Sequence, residues 1–159
     1  MSFQTRFKDM SCPGAQIAAL PVRVDGSGIL RVLMVTSRDT GRWVMPKGWE
    51  MDGKKPWDAA AIEALEEAGA KGTIAKVPIG EYVYGKVLDD GKVLPCRVRL
   101  YPMVVDKLKR NWKERGQRKR CWFRPRAAAR RVDEPELAQL LAKLDSCKPG
   151  SQPWLQDLL

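Results

Sequence analysis

The sequence predicts a globular domain of the α/β or α+β class. Its 159 residues are enough to bury a core, and 44% of them are hydrophobic, with six Trp, which argues against a disordered chain. Strand-like segments and helix-like segments also alternate, with one helix between strands. We therefore expect one domain that covers residues 1–159.

The first half of the chain predicts a β-hairpin and a loop that leads into a helix. Residues 15–24 and 29–37 are rich in β-branched and aliphatic residues, and Asp-Gly-Ser-Gly lies between them, which is typical of a hairpin. Residues 41–49 (GRWVMPKGW) form a short strand that runs into a Pro/Gly loop. These segments place a glycine-containing loop directly before the helix.

Helix signals follow this loop. Pro56 suits the first helical turn, Asp58 favours the N-terminus and Gly69 suits the position just after the last turn. At 100° per residue, the pattern predicts one mostly small apolar face and an opposite acidic face. The apolar face contains Trp57, Ala61, Ala64, Leu65 and Ala68, and the acidic face contains Glu63, Glu66 and Glu67.

The second half predicts two longer strands, a short one and two helices. Residues 72–89 and 94–105 are the two strands, joined by the turn Asp-Asp-Gly-Lys. A short strand near Trp122 leads to a helix at 125–131, and residues 134–145 have leucines on one helical face. The tail 148–159 contains Pro, Gly and Ser, and we expect it to be loosely held.

Composition excludes several classes of chemistry. The chain has no histidine, so a Ser-His-Asp triad, a Cys-His pair and His-ligated zinc are excluded. Four widely spaced cysteines favour reduced thiols over disulfides. No segment resembles a signal peptide or a membrane span, so we expect a cytoplasmic protein without a membrane partner.

The net charge of +10 is concentrated in one segment. Residues 107–131 contain twelve Lys or Arg and one acid, Glu114, whereas the rest of the chain is nearly neutral. Either this segment forms a solvated basic face, or it attracts a polyanion such as nucleic acid, polyphosphate or a phosphorylated metabolite.

The acidic cluster of the helix predicts a cation site. Glu63 and Glu67 stand at i, i+4, where like charges destabilise a helix by a few tenths of a kcal/mol, and the helix C-terminus adds a similar penalty. A divalent cation would remove this repulsion, and oxygen ligands without His or Cys favour Mg²⁺ or Mn²⁺. The alternative is a solvent-facing acidic patch. With Gly48 and Gly53 allowing close backbone approach, a metal site suggests phosphoanhydride cleavage.

The spacing of these residues resembles the box of the Nudix hydrolase family. Gly48 opens the box, and Glu63, Glu66, Glu67 and Gly69 follow at the family's spacings within residues 48–70. The resemblance implies an α/β/α sandwich with a mixed central sheet, and hydrolysis of a nucleoside diphosphate linked to another group or of a related diphosphate. It also implies that Glu63, Glu66 and Glu67 are catalytic and, with Gly48, hold Mg²⁺ or Mn²⁺.

The box departs from the family pattern at several positions. Lys54 stands where the family has Glu, Ile62 where it has Arg, and Ala64 and Ala70 where it prefers larger aliphatics. In the family the first Glu and the Arg pair with each other. Because both are changed here, we interpret the change as a replaced brace and expect activity to be retained.

Further stretches resemble the diphosphoinositol polyphosphate phosphohydrolases. They are Gln-Thr-Arg at 4–6, the Ser-Arg…Arg-Trp element at 37–43 and the Trp…Gly-x-Arg-Lys-Arg segment at 112–120. Glu134 stands where that subfamily has a basic residue. Carried over position by position, the resemblance implies that five residues bind substrate phosphates: Arg6, Ser37, Arg38, Lys47 and Arg118.

The sequence therefore predicts a pyrophosphohydrolase of a highly phosphorylated small molecule, such as a diphosphoinositol polyphosphate or polyphosphate. A dinucleoside polyphosphate or nucleotide-sugar hydrolase is the alternative, in which Trp43, Trp49 or Tyr84 would stack on a base. A catalytically degenerate phosphate-binding or RNA-binding domain is the alternative from a different class. The general base stays open between a box glutamate, Glu81 and Glu114, and so does the oligomeric state.

Overall fold

The computed structural model describes residues 14–145 and 153–158. Within these ranges the chain forms eight strands and four helices. The strands are β1 (Gly14–Val24), β2 (Leu30–Thr36), β3 (Trp43–Val44), β4 (Lys47–Trp49), β5 (Ala70–Ile74), β6 (Gly80–Val87), β7 (Val93–Leu108) and β8 (Arg120–Phe123). The helices are α1 (Pro56–Ala68), α2 (Pro125–Arg131), α3 (Pro135–Asp145) and α4 (Pro153–Leu158).

The strands form one mixed sheet. Its central path is β3-β2-β1-β7-β5, and β4, β6 and β8 pair with β1, β7 and β2 respectively. Strands β1 and β7 are parallel, from Gly14 opposite Cys96 to Val22 opposite Val104, and the other pairs are antiparallel. The predicted hairpin of β1 and β2 is confirmed.

The sheet separates two apolar cores because its strands alternate with a period of two. From β1, Ala18, Leu20 and Val22 face the core under α2 and α3, whereas Ile17 and Ala19 face the core under α1. The second core accepts α1 closely because the helix contributes small side chains: Ala59, Ala60, Ala64 and Ala68. The fold is thus an α/β/α sandwich, as predicted.

Two predicted segments differ from the structure. Segment 41–49 contains the expected short strand, β3, which pairs with β2, but the expected Pro/Gly loop also contains a second strand, β4, which pairs with β1. Pro46, which cannot donate to a ladder, lies between the two strands. The segment 72–89 divides into β5 and β6, which pair with successive parts of the same strand, β7. Residues 75–79, which contain Pro78, separate them.

The bounds of α1 follow the predicted signals, but the face that the helix buries is rotated relative to the predicted apolar face. Pro56 occupies the first turn, and Gly69 ends the helix with φ 66° and donates its N–H to the carbonyls of Ala64 and Leu65. The prediction that Glu67 lies opposite the apolar face is wrong, because Glu67 is only 5% exposed. The helix turns Glu67 toward the sheet, and Ala61 and Leu65 instead line a shallow outer groove.

Part of the C-terminal tail is packed. Leu155 on α4 is buried, and Trp154 and Leu158 contact the same core as α3. The rest of the segment expected to be loosely held lies outside the described residues. In the described part of the chain, no helix is long and apolar enough to cross a membrane.

Candidate active site

A cavity of about 350 Å³ opens between β4, α1, β6 and the loop before β8. It brings together residues that lie up to 102 positions apart in the chain, from Gln16 to Arg118. Seven of the residues predicted for the site line it: Ser37, Arg38, Lys47, Gly48, Glu63, Glu67 and Arg118. Arg6 lies outside the described residues.

The carboxyl groups of Glu63 and Glu67 meet beside Gly48. They stand one helical turn apart on α1 and are close enough to share a proton. A Cβ atom at Gly48 would overlap the carboxyl group of Glu63. Glycine at this position therefore makes the room in which the Glu63 carboxyl lies.

This pair is electrostatically unusual. Burial and the hydrogen bond with Glu63 raise the pKa of Glu67 to about 8, although Arg118 opposes the rise. Burial also raises the pKa of Glu63. A buried carboxyl and a half-buried one that share a proton are a site where a cation could replace that proton.

Glu66 does not join this pair. Its side chain is 33% exposed, and one carboxylate oxygen lies 3.5 Å from Nζ of Lys113. Glu66 is turned away because it lies about 100° from Glu67 around the helix. Among residues 14–145 and 153–158, no three His, Cys, Asp or Glu side chains are grouped closely enough to hold a metal on their own.

The donor set nevertheless suits Mg²⁺. Carboxylates and backbone carbonyls are hard oxygen donors, and Mg²⁺ usually keeps several waters and binds substrate phosphates as well. Glu63 and Glu67 share a proton that a cation could replace, and the missing Cβ at Gly48 leaves the space in which the Glu63 carboxyl lies.

Arg118, in the loop before β8, contacts both α1 and β2. Its guanidinium is 9% exposed and donates to Oε1 of Glu114 at 2.9 Å and to the carbonyl of Thr36 at 3.0 Å. A third nitrogen lies 3.7 Å from Oε1 of Glu67. Arg118 is therefore largely engaged within the protein, and it holds Glu114 at the cavity wall.

The other predicted phosphate ligands differ in exposure: Arg38 is exposed, whereas Ser37 and Lys47 are partly buried. Arg38 donates to Gln117, and Ser37 accepts a hydrogen bond from the backbone N–H of Thr40. Lys47 lies over the ring of Tyr84, with its Nζ 4.5 Å from the centroid. Burial lowers the pKa of Lys47, and the carboxylates of Glu67 and Glu134 oppose that shift.

Several cavity residues were not predicted from the sequence. Lys86 on β6 and Asp39 after β2 both line the cavity; Asp39 lies within the Ser-Arg…Arg-Trp element but was given no role, and Lys86 belongs to no motif. Of the two loop candidates for general base, Glu114 lines the cavity, whereas Glu81 pairs with Arg97 on an exposed part of β6 and β7. Lys86 lies on a local hairpin with β7, but this hairpin reaches the site only because β7 pairs in parallel with β1, a pairing for which the local sequence carries no signal.

The three candidate stacking aromatics have different surroundings. Trp43 packs edge-on against Phe123, with 5.0 Å between centroids. Tyr84 is buried and donates its hydroxyl to Gln16 at 2.6 Å. Trp49 is 43% exposed and lines the cavity, so among these three it alone presents its ring to solvent.

The C-terminal end of α1 is held by the loop 109–120. This loop supplies a donor for each of four successive carbonyls: the N–H of Glu114 to Glu66, the indole of Trp112 to Glu67, the guanidinium of Arg120 to Ala68 and the N–H of Lys109 to Gly69, at 2.8–3.1 Å. Arg120 also lies over the ring of Trp112, 3.8 Å from its centroid. We call these contacts the C-terminal clamp.

Removing Trp112 should loosen this clamp. We expect Trp112→Ala to lower the free energy of unfolding by about 2–3 kcal/mol, because it removes a hydrogen bond, a cation–π contact and apolar packing. Trp112→Phe keeps the ring and should cost about 1 kcal/mol. Urea unfolding of both variants measures the difference, and equal stability of the two would show that the ring contributes nothing.

Lys54 and Ile62, which stand where the family has a paired Glu and Arg, do not form such a pair across the box. Lys54 is exposed, and Ile62 lines the outer groove with Leu65 and Met103 rather than the cavity. The box loop is instead joined to β7 by an ion pair between Glu50 and Arg99. This pair lies two residues after Gly48, and it ties the loop to the sheet.

Known proteins resemble this chain in sequence. No family model matches it. The human diphosphoinositol polyphosphate phosphohydrolase 3-beta is 30% identical over 126 residues, which cover 77% of this chain and 71% of that protein. Nudix hydrolase 12, mitochondrial, of Arabidopsis thaliana is 33% identical over 103 residues, which cover 63% and 51%. The chain spans between 51% and 64% of the length of three Arabidopsis relatives.

Solved structures agree with the fold. An Ap4A hydrolase of C. elegans matches with a TM-score of 0.59 at 21% identity, covering 84% of this chain and 96% of that one. The Nudix domain of Shewanella oneidensis NrtR, complexed with ADP ribose, matches with a TM-score of 0.62 at 11% identity, covering 92% and 98%. Because the chain has the box spacing, the sandwich fold and a Nudix relative that is 30% identical to it, it belongs to the Nudix hydrolase family.

Proposed function

We propose that the protein is a Mg²⁺-dependent pyrophosphohydrolase, active also with Mn²⁺, that cleaves a phosphoanhydride bond in a phosphorylated small molecule. The observation that carries this proposal is the pair of half-buried Glu63 and buried Glu67 beside Gly48, at the wall of a cavity with cationic side chains. Cations around a carboxylate pair suit phosphates that arrive together with a divalent metal.

The metal would be held by Glu63, Glu67 and the carbonyl of Gly48, and when bound it would supply charge neutralisation on the phosphates and a more acidic water. Arg38, Lys47 and Lys86 bind and orient the phosphates, since they line the same cavity. Glu114 is the proton acceptor that we favour. Its carboxylate is fixed by the 2.9 Å hydrogen bond from Arg118 and lines the cavity.

Two substrate classes are supported by different observations. Sequence similarity to a human diphosphoinositol polyphosphate phosphohydrolase supports a diphosphoinositol polyphosphate, or inorganic polyphosphate, as substrate. The exposed ring of Trp49 at the cavity supports the second class, in which a dinucleoside polyphosphate or nucleotide sugar is cleaved.

The basic segment gives less support to an RNA-binding function. Several of its cations already have partners inside the protein: Arg118 pairs with Glu114, Lys113 with Glu66 and Arg126 with Asp145, and Arg120 donates to the carbonyl of Ala68. RNA binding would fall steeply with salt and would tolerate a chelator. The partner that we propose is therefore a phosphorylated small molecule.

Phosphate release from a panel of substrates tests the proposal. The wild-type protein is offered diphosphoinositol polyphosphates, inorganic polyphosphate, dinucleoside polyphosphates and nucleotide sugars, with Mg²⁺ or with EDTA. We expect at least one compound to be cleaved with Mg²⁺ and none with EDTA. Cleavage that persists in EDTA, or no cleavage of any compound, would contradict the proposal.

The location of the protein in the cell is a separate proposal. We propose the cytoplasm, a reducing compartment that suits the four widely spaced cysteines. The three Arabidopsis relatives, Nudix hydrolases 12, 13 and 16, carry the description mitochondrial. Cell fractionation with the tagged protein distinguishes the two compartments.

A further inference from the structure

The edge strand β5 has an open side. It ends the central path of the sheet and pairs with β7 alone among the described strands. Lys71, Gly72 and Thr73 are exposed, so solvent reaches the strand along its free side. An open edge presents backbone N–H and C=O groups without a partner strand, and such an edge can accept a strand from another chain.

The two faces of the sheet beside β5 differ. Because side chains alternate along a strand, Ala70 and Ile74 lie on the face that α1 covers, whereas Lys71 lies on the opposite face. On the face of α1, the outer groove of about 200 Å³ lies between β5 and two apolar side chains of the helix, Ile62 and Leu65. A strand added to β5 would therefore place alternate side chains over an apolar groove and beside a lysine.

This lysine is part of a like-charged pair. Lys71 lies directly opposite Lys107 of β7, and both are exposed. Like charges directly opposite each other destabilise a sheet. Asp106 is the extra residue of β7 at this point of the ladder, but within the described residues no carboxylate forms an ion pair with either lysine. A carboxylate from a partner would relieve this repulsion.

The charges favour one kind of occupant. Lysine on an edge strand commonly prevents pairing between copies of a protein, and two β5 edges side by side would bring two such lysine pairs together. A nucleic acid or polyphosphate would supply negative charge, but it has neither apolar groups for the groove nor an amide backbone for the edge. An acidic peptide in an extended conformation supplies all three.

We propose that β5 and the outer groove bind an extended segment of an acidic partner protein, in which acidic and apolar residues alternate. The backbone of this segment pairs with β5, its apolar side chains lie in the outer groove, and its carboxylates lie beside Lys71 and Lys107. The outer groove and the active-site cavity have no lining residue in common, so this inference does not rest on the proposed function.

A labelled peptide tests this surface by anisotropy titration with the wild-type protein. The probe is Glu-Val-Glu-Val-Glu-Val-Glu with a fluorophore at its N-terminus and an amidated C-terminus. The comparison peptides are one of the same composition with all valines adjacent, one that is N-methylated at every residue, and heptaglutamate. We expect the alternating peptide to bind at least roughly 10-fold more tightly than each of them, because it alone combines strand pairing, alternation and charge.

Three substitutions locate the binding. Lys71→Glu should weaken it by roughly 10-fold or more, because it replaces an attraction with a repulsion, and the variant should fold, since the new carboxylate faces Lys107. Ile62→Ser should weaken binding several-fold by removing an apolar wall of the groove. Lys92→Glu is the matched control, because Lys92 is exposed just before β7, at the opposite end of that strand from Lys107. It should change the affinity by about 2-fold or less at physiological salt.

Amide chemical shifts of the wild-type protein identify the edge that the peptide uses, and we expect the largest changes in residues 70–74. If heptaglutamate or the valine-block peptide binds as tightly as the alternating peptide, charge alone attracts it and the proposal is overturned. Equal losses in Lys71→Glu and Lys92→Glu would also overturn it. So would largest shifts outside residues 70–74, or a wild-type protein that dimerises through β5 in sedimentation experiments.

Discussion

Replacing Glu67 with glutamine is expected to lower kcat/KM for phosphoanhydride cleavage by at least about 100-fold while the protein stays folded. The amide keeps the size of the side chain but removes a negative oxygen donor from the pair with Glu63, and outer-shell metal partners alone are worth about 10- to 100-fold. Phosphate release across a Mg²⁺ titration measures the loss. Excess Mg²⁺ should recover little of it.

The same substitution should make the protein more stable near pH 8, although it lowers activity. The pKa of Glu67 is raised from 4.5 to about 8, so the folded protein holds a proton that the unfolded chain releases between these values. The stabilising contribution of this proton is complete below pH 4.5 and is lost as the pH rises through 8. In EDTA, the free energy of unfolding of the wild type should therefore fall across this window.

Glu67→Gln lacks the titrating group, so its stability should vary less with pH and should exceed that of the wild type near pH 8. Urea unfolding at pH 5, 6, 7 and 8 in EDTA measures both effects. Glu66→Gln is the matched control, because Glu66 is one residue away but lies at the surface beside Lys113. A wild-type stability that rises from pH 5 to 8, with Glu67→Gln following the same curve, would contradict the buried pair.

Local sequence predicted the parts of this site that depend on one helix and its loop. The i, i+4 spacing of Glu63 and Glu67 was enough to predict that they meet, and Gly48 was found by its distance from them. The same local reasoning misplaced Glu67, because helical geometry gives angles between side chains but not the angle at which the helix packs on the sheet. That angle is set by Ala60, Ala64 and Ala68 against the core.

Residues contributed by distant segments were harder to predict. Trp112 belongs to a stretch that the sequence singled out for similarity, yet its contact with the carbonyl of Glu67 appears only once the loop is folded onto α1. Lys86 reaches the cavity because β7, the hairpin partner of β6, pairs in parallel with β1. This long-range pairing depends on the whole sheet. Pro78 lies in the gap that divides a segment which composition alone presents as one strand.

Gly48→Ala should be the second variant with a large effect, and its effect should fall on activity rather than on stability. The new methyl group would lie 2.6 Å from Cδ and 3.0 Å from Oε2 of Glu63. Both atoms belong to the end of a flexible side chain, so the carboxyl can swing aside without moving the backbone. We expect a change of at most about 1 kcal/mol in the free energy of unfolding.

The displaced carboxyl leaves Glu67 without its partner, so kcat/KM should fall by roughly 100-fold or more. Gly26→Ala is the matched control, since a Cβ there meets nothing within 4 Å and Gly26 does not need a positive φ. If Gly48 acts through Glu63, the double variant Gly48→Ala, Glu63→Gln should be little worse than Glu63→Gln alone, because the two changes remove one interaction. Fully additive losses would instead show that Gly48→Ala acts independently of Glu63, and would contradict the steric explanation.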